Sequence, residues 1–85
     1  MEIRLTSSFQ SDYRELPTAL QKAVDKKLLL LLENFRYPSL RAKKMDGQRD
    51  VWEARVSRGY RLTFSISNTE YIIRRVGPHN ILKRP

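Results

Sequence analysis

The sequence predicts a single α+β domain over residues 1–85, with an N-terminal strand and two helices packed on one face of a mainly antiparallel four-stranded sheet. Three observations carry this reading. Apolar and polar residues alternate at the start of the chain, apolar residues recur at helical spacing through its middle, and three short alternating segments separated by turn signals fill its last third. A chain of 85 residues has room for one modest core, so most of its long apolar side chains belong in it.

Met1, Ile3 and Leu5 alternate with Glu2, Arg4 and Thr6, the pattern of a half-buried strand. Ser7 or Ser8 then offers a hydroxyl to cap a short helix running through Tyr13. Leu16-Pro17 resets the chain. After this proline, Leu20, Val24, Leu28, Leu31 and Phe35 fall on one helical stripe, which predicts a long amphipathic helix over 17–35, ended by Pro38. The run Leu28 to Leu32 widens the apolar stripe beyond what packing on one sheet requires. Leu28, Leu29 and Leu32 are therefore candidates for contact with a partner, the alternative being a second helix of the same domain over that side. Residues 36–50 carry Pro38, Gly47 and five bases without a period, and read as a basic connection. Strands follow from Val51 to Ser57, Tyr60 to Ser67 and Glu70 to Val76, joined by turns at Arg58-Gly59 and Asn68-Thr69.

The net charge of +8 is one-sided. Residues 1–35 balance Arg4, Arg14, Lys22, Lys26 and Lys27 against Glu2, Asp12, Glu15, Asp25 and Glu33, so the whole excess lies in residues 36–85. A basic surface confined to one part of a small fold attracts a polyanion, of which nucleic acid is the commonest. An acidic protein is the other class of partner such a surface suits.

Alternation sends Trp52, Ala54 and Val56 inward, along with Tyr60, Leu62, Phe64 and Ile66. Val51, Glu53, Arg55, Arg61, Thr63 and Ser65 are then expected on the open face. The last strand is apolar on both parities and leaves either Arg74 or Arg75 near that face, and His79 follows at its end. RNA cleavage without metal requires a base for the 2′-hydroxyl, cations for the phosphorane and an acid for the leaving 5′-oxygen. Glu53, Arg55 with Arg61, and His79 have the chemistry for these roles, while the simpler reading of the first three is a solvated cross-strand ion pair.

Other chemistries lack their residues. A single histidine and no cysteine leave no clustered metal ligands, and three glycines, at 47, 59 and 77, form no phosphate loop. No nucleophile elbow accompanies His79. The absence of cysteine and of a membrane-length apolar run or export signal leads us to expect a cytoplasmic protein with neither a membrane association nor a cofactor.

The stretch Val51-Trp52-Glu53-Ala54-Arg55-Val56-Ser57-Arg58-Gly59-Tyr60-Arg61-Leu62-Thr63-Phe64, followed by Arg74-Arg75-Val76-Gly77-Pro78-His79-Asn80-Ile81-Leu82, resembles the RelE/ParE superfamily of type II toxin-antitoxin toxins. The likeness extends to the front of the chain, where Leu16-Pro17 opens the second helix as it often does in that family. It implies a RelE-like fold and a cytoplasmic toxin that arrests growth and is neutralised by a cognate antitoxin. It further implies, on the RelE side, a ribosome-dependent mRNA endonuclease (mRNA interferase) that inhibits translation. The alternatives are a ParE-like DNA gyrase inhibitor and an inactive binding module. By the same resemblance Arg61 contacts the scissile phosphate, His79 sits where RelE-like nucleases carry a cationic or histidine side chain, and Arg55 and Glu53 fall on the strand that carries basic or acid/base residues. Arg41, Lys43 and Lys44 form the approach to RNA, joined by Arg58 in the turn, Arg74 and Arg75 on the last strand and Lys83 in the tail. Two departures stand out. The tail Asn80 to Pro85 has no tyrosine to stack on a base, and Glu53 and Arg55 replace lysines found in some members.

Overall fold

The computed structural model describes residues 1–85, whose elements are β1 (Glu2–Leu5), α1 (Ser7–Arg14), α2 (Thr18–Glu33), a 3₁₀ turn (Pro38–Leu40), β2 (Lys43–Lys44), β3 (Trp52–Ser57), β4 (Tyr60–Ile66), β5 (Glu70–Pro78) and a second 3₁₀ turn (His79–Lys83). The sheet order is β1-β5-β4-β3-β2, with β1 parallel to β5 and every other pair antiparallel. The α+β class is as expected, but the sheet has five strands, because Lys43 and Lys44 pair with Glu53 and Trp52. Two lysines beside an aperiodic loop carry no strand signal of their own, so this edge strand was not foreseen. The same segment buries Leu40 completely and is thus more than a connection.

Local chemistry explains the element boundaries. The cap of α1 is Thr6 rather than Ser7 or Ser8: its hydroxyl oxygen accepts from the Phe9 amide at 3.1 Å, and its single proton is shared between the Ile73 and Arg74 carbonyls. Pro17 stands just before α2, which starts at Thr18 and stops at Glu33, two residues short of the predicted end. Gly59, at φ 83°, supplies the left-handed residue that the tight β3–β4 connection needs.

The core lies between the helices and one sheet face. Val24 and Leu31 of α2 and Phe9 of α1 meet Ala54, Val56, Leu62, Phe64, Ile73 and Val76, and these residues are essentially without solvent contact. Three aromatic residues cross the sheet on that face. Trp52, Phe64 and Tyr71 come from adjacent strands with ring centroids 6.3 Å and 6.1 Å apart, and Phe35 abuts Trp52 edge-on at 5.3 Å. No helix is long and apolar enough to cross a membrane.

A bulge accounts for the mixed parity of the last strand. Thr63 pairs with Arg75 while the next residue, Phe64, pairs with Ile73, so Arg74 is the extra residue. Ile73 and Val76 can then both face the core although they are three positions apart, an odd spacing that a regular strand would send to opposite faces. Two expectations for the other face fail. Val51 and Thr63 are buried, and the turn at His79–Lys83 folds back onto β4 and β5 with a buried Ile81 of its own.

The helical layer is tied to β5 by Asp12. Its carboxylate accepts from Arg75 Nε at 2.9 Å and Nη2 at 3.0 Å, and also from the Val76 amide at 3.2 Å, at a point that β1, ending at Leu5, does not reach. The bond to Asp12 is the main reason that Arg75 is held above the usual arginine value. Replacing Asp12 by alanine leaves a half-buried guanidinium unpaired and is expected to lower stability by about 2–3 kcal/mol, on the order of 10 °C in melting temperature. Thermal denaturation followed by circular dichroism measures this.

A weaker tie joins the helices. The Tyr13 phenol donates to Asp25 Oδ1 at 2.8 Å, and this bond is the main reason the phenol is held above its ordinary value of 10.0. Because the folded pKa is the raised one, this contribution is complete below pH 10.0 and is lost as pH rises through the higher folded value. Urea denaturation over a pH series starting at 8 is expected to separate the wild type from Tyr13→Phe at the low end and to narrow the gap progressively above pH 10.0.

Candidate functional site

The β3–β4 hairpin sets two arginines directly opposite each other. Arg55 and Arg61 are cross-strand partners, and one step along the ladder Glu53 faces Thr63 on one side and Lys43 of β2 on the other. Like charges in direct register repel, so this arrangement opposes folding unless an anion lies against it. Arg61 is half-buried, and its Nη1 donates to the carbonyls of Tyr60 at 3.0 Å and Ser57 at 3.3 Å, which fixes its guanidinium over the turn.

Arg41, Lys43, Glu53, Arg55 and Arg61 together line a cavity of about 250 Å³ that has no apolar residue in its wall. None of the five forms an ion pair within 4.0 Å; the salt bridges of the molecule involve Arg4, Lys44, Arg49 and Arg75. Arg41 reaches the cavity from the end of the first 3₁₀ turn with φ 47° and ψ 42°. This left-handed backbone costs an arginine about 1 kcal/mol. Four cations, one carboxylate and a wall of donors suit a phosphate group with a hydroxyl beside it.

The structure gathers Glu53, Arg55, Arg61, Arg41 and Lys43 and leaves the other predicted residues apart from this cavity. His79 is exposed at the start of the second 3₁₀ turn, outside the cavity wall, although Gly77, two residues before it, is the ladder partner of Arg61. Lys44 lies 4.0 Å from Asp50, and Arg58 and Lys83 are exposed. Arg74 donates to the Pro85 carbonyl oxygen at 3.3 Å and approaches Ser65 Oγ at 3.5 Å, while Arg75 is engaged by Asp12. Of the leucines, Leu28 is half-buried in a crevice with Leu5 and Phe9, whereas Leu29 and Leu32 are 67% and 40% exposed and share a shallow groove with Lys26, Leu30 and Glu33.

Sequence reasoning missed Lys27. Its ammonium donates to the Ser39 carbonyl at 3.4 Å, and its pKa is lowered by burial first, then by the charges of Lys26 and Arg55. It therefore adds to the potential around Arg55 from a helix whose net charge gave no hint of it.

The fold has counterparts among solved structures. The fold is that of the RelE-type toxins. The chain is similar to a YoeB/ParE toxin from Agrobacterium tumefaciens (TM-score 0.81, 13% identity, covering 93% of this chain and 99% of that one). It is also similar to the toxin of the intact Escherichia coli RelBE toxin-antitoxin complex (TM-score 0.73, 22% identity, 91% and 94% covered) and to YafQ from the same species (TM-score 0.75, 17% identity, 95% and 96% covered). No protein-family model matches the sequence, and no curated protein does.

The cavity yields a salt-dependence test. Arg41→Ala and Lys43→Ala are each expected to lower the slope of log affinity for a single-stranded oligonucleotide against log salt by about 0.7. Arg4→Ala, at the far sheet edge and already paired with Glu70, is expected to leave the slope unchanged. Fluorescence anisotropy across a salt series reads both.

Proposed function

We propose that this protein is the toxin of a type II toxin-antitoxin pair and acts as a ribosome-dependent mRNA endonuclease. The observation that carries the reading is the unneutralised Arg55–Arg61 pair beside Glu53 in a wholly polar cavity. Two arginines in register supply forked donors for the phosphate oxygens, and their mutual repulsion is relieved as negative charge develops on the phosphorane. The repulsion thus becomes binding energy for the transition state, which needs that charge more than the ground state does. Glu53 and His79 move the protons, one from the 2′-hydroxyl and one to the leaving 5′-oxygen, and Arg41 and Lys43 hold the flanking backbone. The chemistry proceeds by attack of the 2′-oxygen on phosphorus, breaking the bond to the 5′-oxygen, and calls for no cofactor.

A cognate antitoxin accounts for the remaining surface. Four of the structural neighbours are named as RelB–RelE-type complexes, including those from Mycobacterium tuberculosis and Methanococcus jannaschii. In this chain Leu29 and Leu32 offer an apolar strip to a helix, Leu28 lines the separate crevice with Leu5 and Phe9, and the basic sheet face suits an acidic segment that masks the cavity.

Purified protein added to a cell-free translation reaction is expected to cut reporter mRNA only when ribosomes are present, with the ends mapped by primer extension. Arg61→Ala is expected to lower the cutting rate by about 100–1,000-fold while leaving the fold intact. Intact mRNA with the wild type overturns the nuclease reading, and arrested supercoiling by DNA gyrase in a parallel reaction identifies the ParE-like activity instead.

A further inference from the structure

The C-terminal turn sits in a notch. Gly77 has no left-handed φ to explain it, yet a β-carbon built there would lie 2.8 Å from the Cγ2 methyl of Ile81, closer than real β-carbons approach any atom. Glycine is present to make room for a side chain. Ile81 is only 7% exposed, although it belongs to a five-residue 3₁₀ turn near the chain end and lies outside the main core cluster. Its turn packs on β4 as well as β5, and Ile81 shares a crevice with Leu16, Pro17, Tyr60 and Val76, which gives the end of β5 a small apolar seat of its own.

The location of this seat matters. Gly77 is the cross-strand partner of Arg61, so Ile81 presses on the ladder at the position of the phosphate-binding arginine. The residues between the two ends of the contact are Pro78, His79 and Asn80, all exposed, and the structure gives His79 no side-chain hydrogen bond to hold it. The backbone on either side is fixed instead: Pro78 by its ring and its pairing with Tyr60, and the turn by Ile81.

We infer that the Ile81–Gly77 contact is a positioning device, which folds the C-terminal turn back and thereby sets where His79, two residues beyond the ladder partner of Arg61, is held for proton transfer. Ile81 touches no substrate; it acts through His79. The inference rests on the nuclease reading for its consequence in rate but not for its structural content. His79 is the sole histidine of the chain, so its imidazole signals in an NMR spectrum are unique and report its placement whatever the activity.

The test uses the full chain. Gly77→Ala is expected to shift the His79 imidazole signals and lower the rate of ribosome-dependent cutting by about 100-fold, the scale of a displacement near 1 Å. Combining it with Ile81→Leu, which moves the branch off the β-carbon and removes the obstructing Cγ2 methyl, is expected to return both toward wild type. In a His79→Ala background Gly77→Ala is expected to cost nothing further, because the contact acts through a side chain already gone. Unchanged imidazole signals in folded Gly77→Ala, or a loss in rate that adds to that of His79→Ala, would overturn the inference. Should Gly77→Ala not fold, Ile81→Ala empties the seat with the strand untouched: displaced His79 signals support the device and unmoved ones refute it. A wild type that cuts no mRNA sinks the nuclease reading alone, and the imidazole signals still decide the device.

Discussion

One carboxylate governs how charge is distributed over this molecule. Asp12 sits in the neutral front half of the chain but reaches β5, where it closes on Arg75 with two short bonds and takes the Val76 amide with a third. In doing so it replaces a missing neighbouring strand, since β1 stops at Leu5 and β5 would otherwise run on with an unpaired edge. It also withdraws one arginine from the basic face. Arg4 is withdrawn in the same way by Glu70. At the other end of the sheet Arg41, Lys43, Arg55 and Arg61 stand together with no ion pair among them. The site is therefore defined as much by where acids have been placed as by where bases have, since the cavity gathers four cations around a single carboxylate.

The parts of the structure that were legible in the sequence are those with a strong local signal. The β3–β4 hairpin follows from strict alternation and Gly59, and it alone puts Glu53, Arg55 and Arg61 on one surface. The apolar stripe of α2 likewise foretold the burial of Val24 and Leu31 and the exposure of Leu29. What escaped was set by tertiary contact. The strand at Lys43–Lys44 exists because β3 offers it an edge, and the left-handed Arg41 that lines the cavity follows from the turn around buried Leu40. The bulge at Arg74 was visible only as a contradiction in parity, an apolar pattern that no straight strand satisfies. Thr63 and Val51 were expected in solvent because alternation alone does not say which open-face positions the rest of the fold covers.

The fold also shows how a small α+β domain separates stability from chemistry. Its buried apolar residues lie almost entirely between the helices and one sheet face, linked by the aromatic series Phe35, Trp52, Phe64 and Tyr71. The opposite face carries charged groups whose mutual repulsion that core must offset. Thr63 lies between the two regimes, fully buried with its hydroxyl oxygen lacking a partner. A residue of this kind marks the boundary at which packing gives way to polar chemistry.

The two-residue strand β2 has a bearing on how this protein behaves in concentrated solution. An outermost strand offers free amides and carbonyls to any extended chain that drifts past, and a longer, flatter, more apolar edge would recruit copies of itself into aggregates. Here that edge is only Lys43 and Lys44, both exposed and both positively charged, so each incoming copy meets like charge before it can pair. Lys43 also lines the cavity. One side chain thus serves as a wall of the site and as a guard against self-association, so its charge answers to two demands at once.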